Sequence, residues 1–311
     1  MRKIPINPSA QKLFQESLAP FSRVLILGGS GWFGRTALSM IGEVGPDVLV
    51  VGSYAREIVV NGKVFSVRKW DRARVERFQP DLVLDFAFLT KDSIQILGEQ
   101  EFARQNRRMS ERLLSLAELG TVRNLLTVSS GAAIMRTVDS AGGGQDLYGD
   151  QKLANEKALR DIALSGATNV IIARAWSVTG GHVQKPENYA FSDFILSALK
   201  SRKILIRAPH PVMRRYCSVE DFLAVALAYG HDKQIAEFDS GGPLVEVGEL
   251  ARHIAENLGN PEIEILFSGR LESNPDDYQS GGRGWENITS ELGFTPLTLS
   301  QQIVNVRDSL N

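Results

Sequence analysis

The stretch DLYGDQKLANEKAL sets Tyr148 and Lys152 four residues apart, on one face of any helix that contains them. A free phenol is a poor base, with a pKa of about 10, but a neighbouring ammonium favours the phenolate. Such a pair can move a proton to or from a carbinol oxygen. Ser130, closing the apolar run LLTVSS, offers a hydroxyl to the same oxygen, and Ser129 is its adjacent alternative. Taken alone, the tyrosine and lysine read equally well as a surface aromatic beside a lysine.

A second pattern gives that proton a partner. VLILGGSGWFGRTAL spaces Gly28, Gly31 and Gly34 at three-residue intervals between an apolar strand pattern and an apolar helical one. In a strand–turn–helix of this kind the first glycine permits a tight turn. The second lets a pyrophosphate approach the backbone, and the third lets helix and strand pack closely. The helix N-terminus adds free N–H donors and partial positive charge. With both flanks present, the spacing predicts a dinucleotide on Gly28, Ser30, Gly31, Trp32, Phe33 and Gly34. Sites for NAD usually place an acid about 20 residues further on, against the ribose 2′-hydroxyl. Here the second strand ends VLVVGSYAREI, with no carboxylate from Val48 to Arg56. Ser53, Arg56 and Arg35 suit a 2′-phosphate instead, so NADP(H) is favoured, with NAD(H) as the alternative. Asp71 reads as an acceptor for the adenine amino group or as a helix N-cap.

These residues must be held by something. Apolar runs RVLILG, DVLVVG, DLVLDFAF, RNLLTVSS and NVIIARAW alternate with helix-period stretches. Runs that are apolar throughout belong to strands buried on both faces. The alternation predicts a doubly wound α/β fold with a parallel sheet from about residue 23 to 180. After it, residues 181–311 read as a smaller lobe with segments returning to the main sheet. Residues 1–22 form an N-terminal extension, read as a short helix with no evident task. A single long helix from Ser93 to Leu119 and another from Leu147 to Leu164 are candidates to pair across a two-fold axis, making a homodimer. The chain has 311 residues, a formal net charge of −1 and one cysteine. Mixed charge argues against nucleic acid and against a polybasic membrane anchor. One cysteine excludes a disulfide within the chain, and no apolar run is long enough for a signal peptide or a membrane span. A cytoplasmic setting is expected, with no metal site.

The order of glycine turn, serine and Tyr-x-x-x-Lys resembles the extended short-chain dehydrogenases/reductases of the NAD-dependent epimerase/dehydratase type, many of which act on nucleotide sugars. The likeness runs from about Arg23 to Ile303 through GGSGWFG, DFAF, VSSGA, YGDQK, ARAWSVTGGH, RRYCSVED and ITSELGFTPLTLSQQI. It implies catalytic Ser130, Tyr148 and Lys152, with Asn106 bracing the site near the lysine. It implies that Phe86, Ala87, Phe88, Trp176 and Val178 lie along the cofactor. It places substrate against Ser130, Gly131 and Ala132, with Arg214 gripping a diphosphate and Arg283 in a similar role. Dehydratases of this type carry an acidic pair where this chain has Gly131 and Ala132, which counts against dehydration. The usual VYG after the serine strand is here AIM. His182 stands where fucose-synthesising relatives keep an acid/base histidine, but their partner cysteine has no counterpart, so a packing role near substrate is the simpler expectation.

The resulting expectation is an NADP-dependent reductase of a nucleotide-linked 4-keto-6-deoxy sugar, with a proton from Tyr148. The alternatives are a nucleotide-sugar 4-epimerase with retained NAD, a reductase of a non-sugar ketone, and a Rossmann protein that senses NADP without turnover.

Overall fold

The computed structural model describes residues 4–42, 45–135, 146–166, 168–268, 276 and 278–310. Residues 1–3 of the N-terminal extension lie outside them. The strands are β1 (Arg23–Leu27), β2 (Asp47–Gly52), β3 (Arg56–Val60), β4 (Lys63–Lys69), β5 (Leu82–Asp85), β6 (Asn124–Ser130), β7 (Asn169–Ala175), β8 (Ser177–Thr179), β9 (Lys203–Ile206), β10 (Met213–Ser218), β11 (Ile235–Asp239), β12 (Leu244–Glu246) and β13 (Glu264–Phe267). The helices are α1 (Pro8–Leu18), α2 (Trp32–Met40), α3 (Arg72–Phe78), α4 (Asp92–Leu97), α5 (Glu99–Ala117), α6 (Leu147–Leu164), α7 (Ala190–Ser201), α8 (Val219–Gly230), α9 (Val247–Leu258), α10 (Arg283–Glu291) and α11 (Leu299–Leu310).

Eight strands form one sheet in the order β11-β7-β6-β5-β1-β2-β4-β3. Neighbours are parallel except for the edge pair β3–β4. The five apolar runs of the sequence are β1, β2, β5, β6 and β7, and alternate residues of each strand go to opposite faces. Val24 and Ile26 of β1 join one core with Ala37 of α2 and Phe222 of α8. Leu25 and Leu27 join another with Leu113 of α5 and Leu159 of α6. Helices on both faces give the Rossmann-like, doubly wound architecture. β11 reaches the sheet from the C-terminal half, pairing with β7. The sequence reading did not assign β3 and β4. Their turn is Asn61–Gly62, at φ 47° and 83°, the type of turn that suits a two-residue hairpin.

Two expectations about helices change. The single helix expected from Ser93 to Leu119 is two, α4 and α5, broken at Gly98 with φ 78°. That backbone angle ends a helix and costs only glycine nothing. The second change concerns the N-terminal extension. α1 buries Ala10, Phe14 and Leu18 in the core beneath α8. Asn7 caps α1 by accepting from Ser9 N–H, and it also ties α1 to the first turn of α8. Its backbone N–H donates to Glu220 Oε2 at 2.9 Å and its Nδ2 to Asp221 Oδ1 at 2.7 Å. Asp221, in the first turn of α8, therefore anchors α1 as well.

The smaller lobe has its own core. Phe191 and Ile195 of α7, Leu250 and Ile254 of α9 and Ile303 of α11 pack together under β9 and β10. Among the described residues no helix is long and apolar enough to cross a membrane, and no group of three or more metal-ligating side chains occurs.

Candidate active site

At the carboxyl ends of β1, β2 and β5 the chain leaves a cleft of about 210 Å³. Open α/β sheets place ligands at such strand ends. Gly28, Ser30 and Gly31 line one side, and Phe86, Ala87 and Phe88 another. Gly28 has φ 74°, and a Cβ there would strike the Phe86 carbonyl at 2.7 Å. At Gly34 a Cβ would lie 2.4 Å from Gly29 Cα, so this glycine lets α2 press onto the turn. Gly31 differs: a Cβ would meet only Gly28 O, at 3.4 Å. Gly31 also caps α2 without any side-chain acceptor, leaving the first amides of α2 unclaimed by a protein cap. A glycine turn open on its outer side, with uncapped helix amides, fits a dinucleotide pyrophosphate.

The far end of this cleft is lined by Ser53, Arg56, Trp70 and Arg112. No carboxylate is among its lining residues. Arg112, from α5, stands 5.4 Å over the Trp70 ring. The sequence reading missed Arg112, because only the packing of α5 beside β5 brings it to the strand ends. Arg35 is not among the lining residues. Its Nε donates to Ser30 O at 3.0 Å and its Nη1 to Val59 O at 3.1 Å, so it clamps the turn to β3. Asp71 likewise stays outside and caps α3, accepting from Arg74 N–H at 3.1 Å.

The chain that follows Phe88 and Leu89 enters the wall of a second cleft, of about 560 Å³, whose lining includes Thr90, Lys91, Ser130, Ala132, Tyr148, Tyr189, Arg214, Asp276 and Tyr278. Tyr148 sits in the first turn of α6, which Asp146 caps by accepting from Gly149 N–H. Lys91 Nζ lies 3.1 Å from Asp146, joining that helix start to the segment after β5. Burial holds the Tyr148 phenol above its ordinary pKa, partly offset by a hydrogen bond with Ser130. Ser130 and Ser129 part company as strand neighbours do. Ser130 faces the cleft, whereas Ser129 donates to Glu156 within the interior.

Lys152 is buried one turn after Tyr148 and donates to Val128 O at 2.8 Å. Its ammonium is 3.9 Å from the Phe88 ring centroid, and that ring meets the Tyr148 ring edge-on at 5.8 Å. Burial pushes Lys152 down to about 8, against the pull of Asp85 and Glu156. Phe88 thus packs against both side chains. Asn106 is fully buried; it accepts from Leu89 N–H at 2.8 Å and donates to Gln151 Oε1 at 3.2 Å. It therefore joins the loop after β5 to α6 beside Lys152.

Several expected site residues lie elsewhere. Trp32 packs edge-on against Tyr189, and Phe33 against Phe86 and Phe222, so both support the clefts without lining them. Trp176 lies under the second cleft rather than along the first. Its ring is 4.9 Å from Tyr278, its Nε1 donates to Asp239, and it covers Gly131 so closely that a Cβ there would be 2.4 Å from the indole. Gly131 thus serves Trp176 and is not among the residues lining the cleft. Val178 is inside β8, paired with Cys217. His182 is buried and outside both linings, and burial with the nearby Arg35 charge pushes it down to about 4. A neutral, enclosed imidazole does not fit an acid/base role in this cleft. Arg283 opens α10 and lines a separate hollow with Glu237, Asp239 and Trp285. Arg214 does line the cleft, but its guanidinium is engaged by Asp276, at 2.6 Å from Nη2 and 3.2 Å from Nη1.

Known proteins resemble this chain over most of its length. UDP-glucuronic acid decarboxylase 6 of Arabidopsis thaliana is 22% identical, over 94% of this chain and 90% of the relative. UDP-glucuronic acid decarboxylase 5 of the same plant is 25% identical, over 88% and 84%. Among solved structures, a UDP-N-acetylglucosamine 4-epimerase from Methanobrevibacter ruminantium M1 superposes with a TM-score of 0.74 at 14% identity, covering 93% of this chain and 97% of that one. A UDP-glucose 4-epimerase from Stenotrophomonas maltophila, with bound NAD, gives 0.73 at 20%, covering 93% and 98%. The profile of the NAD dependent epimerase/dehydratase family matches residues 24–237, from β1 through the strand that closes the sheet, and the chain belongs to that family.

Proposed function

We propose that this protein is an NADP(H)-dependent reductase of a 4-keto sugar carried on a nucleoside diphosphate. The observation that carries the reading is the donor set at the far end of the first cleft: Ser53, Arg56 and Arg112, with no carboxylate. Two guanidinium groups and a hydroxyl favour a 2′-phosphate through charge-assisted hydrogen bonds. An exchangeable reduced cofactor suits net reduction. Gly28, Ser30 and Gly31 would hold the pyrophosphate.

When bound, the dinucleotide supplies hydride to C4 of the sugar. Tyr148 keeps its proton at neutral pH, because its pKa lies above the ordinary value, and releases it to the C4 oxygen as the carbonyl becomes an alcohol. Ser130, which lines the same cleft as Tyr148, holds the same oxygen. Lys152 keeps donors free beyond the one bound to Val128 O, at the end of the cleft where Phe88 lines the cofactor side. One ketone is reduced for each NADPH oxidised. A homodimer through the outer face of α5 and α6 belongs to the same reading.

The second reading is a redox-neutral enzyme that oxidises and re-reduces C4 on a retained NAD. It is favoured by the 4-epimerase named above with NAD bound. One experiment separates them. Purified protein is mixed with deuterium-labelled NADPH and a panel of nucleotide-linked 4-keto-6-deoxy sugars. The reductase consumes cofactor and leaves deuterium at C4. Interconversion of two nucleotide sugars without added cofactor, with no label entering product, overturns it.

A further inference from the structure

We propose that Phe88 is a movable partition between the two clefts, and that its ring must turn off Lys152 before the nicotinamide half of a dinucleotide reaches the reaction centre. The inference rests on the reading of the first cleft as an NADP(H) site. Phe88 and Leu89 line the first cleft, and Thr90 and Lys91, next in the chain, line the second. Tyr148 lines only the second cleft, and Lys152 lines neither. The Phe88 ring accounts for this. The Lys152 ammonium lies 3.9 Å from the ring centroid, and the Tyr148 ring meets it edge-on at 5.8 Å. One side chain thus stands between the cofactor cleft and both of these groups.

The volume of the first cleft points the same way. It is about 210 Å³, below the roughly 300–1,000 Å³ of ordinary ligand pockets. With the ring in this position the space suits the adenosine half of a dinucleotide rather than the whole. That half has its own donors in Ser53, Arg56 and Arg112, and in the turn of Gly28, Ser30 and Gly31.

The backbone around Phe88 is fixed, so the movement belongs to the side chain. Phe86 N–H donates to Leu27 O at 3.0 Å, and Ala87 N–H to Asp85 Oδ1 at 3.1 Å. Asp85 is itself buried, and its Oδ2 accepts from the Thr127 hydroxyl at 2.9 Å. On the other side, Leu89 N–H donates to the buried Asn106 Oδ1 at 2.8 Å. Between these anchors the ring moves by changing rotamer. The ammonium on its face holds it down, an attraction that strengthens away from water. Lys152 is tethered to Val128 O, so the ring leaves the lysine and not the reverse. A dinucleotide that binds in full must displace this contact. Its apparent affinity is therefore reduced by the fraction of molecules whose ring is already turned. A ligand that ends at the glycine turn carries no such penalty.

The test compares NADP⁺ with adenosine 2′,5′-bisphosphate, which has the 2′-phosphate but no nicotinamide half, by calorimetry on the full-length protein. A cation–π contact shifts an equilibrium about 2–30-fold. Phe88→Ala should therefore tighten NADP⁺ by about 3–30-fold and leave the bisphosphate within about twofold of wild type. Phe88→Leu keeps an apolar side chain without a π face, and should tighten NADP⁺ by a smaller factor. Acetylation of Lys152 by dilute acetic anhydride, read by mass spectrometry without nucleotide, should be faster in both variants. NADP⁺ affinity that is unchanged or weaker in both variants overturns the partition, and so do equal acetylation rates in all three proteins. If wild type binds 5′-ADP as tightly as the bisphosphate, the NADP reading fails by itself, and 5′-ADP against NAD⁺ then tests the partition in the same way. If wild type binds none of these nucleotides, the dinucleotide reading fails and takes the partition with it.

Discussion

Replacing Tyr148 by Phe keeps the ring against Phe88 and removes the proposed proton donor. Turnover should drop roughly 10²–10⁴-fold, the usual range for a positioned acid, with little change in cofactor affinity. Steady-state rates with the 4-keto sugar check this, and full activity of Tyr148→Phe sinks the assignment. Arg112→Ala addresses the other cleft. Removing a charged donor should weaken NADPH by roughly 10–100-fold and leave NADH nearly unaffected. Fluorescence titration with both cofactors decides it, since equal losses would mean that Arg112 does not meet the 2′-phosphate. At this scale the sequence exposed residues whose neighbours along the chain define them. Gly28, Ser130 and Tyr148 stand in local motifs. Arg112 and Tyr278 carried no such mark, because each reaches its cleft only through tertiary packing. Arg35 and His182 show the converse. Their types suggested contact with ligand, but backbone carbonyls claim one and burial neutralises the other.

The start of α8 concentrates two buried carboxylates. Burial pushes Glu220 up to about 7 from 4.5 and Asp221 up to about 6 from 3.8, opposed by their hydrogen bonds to Asn7. Both folded values lie above the unfolded ones. The stability they contribute is therefore fully present below the ordinary carboxylate range and is lost as pH rises through about 6 and about 7. His182 acts in the opposite sense, with its contribution present above 6.5 and lost as pH falls to about 4. Between pH 6.5 and 8 the carboxylates thus dominate over His182. Thermal unfolding should show Tm falling over that interval in wild type and a flatter profile in Glu220→Gln, which keeps an acceptor for Asn7 N–H. Identical profiles would contradict the account. The helix and strand periods were legible where burial imposes them, as in β1, β5 and β6. The break at Gly98 was not, since α4 and α5 both carry helical periodicity and a lone glycine in such a run is ambiguous. The β3–β4 hairpin was marked by Asn61–Gly62, a turn signal that the sequence reading passed over.

Across the whole molecule, the doubly wound sheet followed from the alternation of apolar runs with helical stretches, while the attachment of residues before Ser22 did not. α1 has no partner nearby in sequence; its apolar face meets α8, which begins some two hundred residues later. Phe14 is fully buried there, so Phe14→Ala should cost about 3–5 kcal/mol. Urea denaturation measures that loss, and a change below about 1 kcal/mol would mean that α1 is not part of the core. α8 also waits on the other end of the chain. Leu297 N–H donates to Asp221 at 2.8 Å, and Asn305 Nδ2 to Glu220 at 3.3 Å. During synthesis Asn7 is available early, but α8 emerges long before residues 297 and 305. Until those arrive, its two carboxylates lack half of their partners. Phe33 of α2, next to the glycine turn, rests on Phe222 of α8. A nascent or C-terminally clipped chain would therefore hold the cofactor turn against an unfinished helix, and the ability to retain a dinucleotide would report that the last helix has docked.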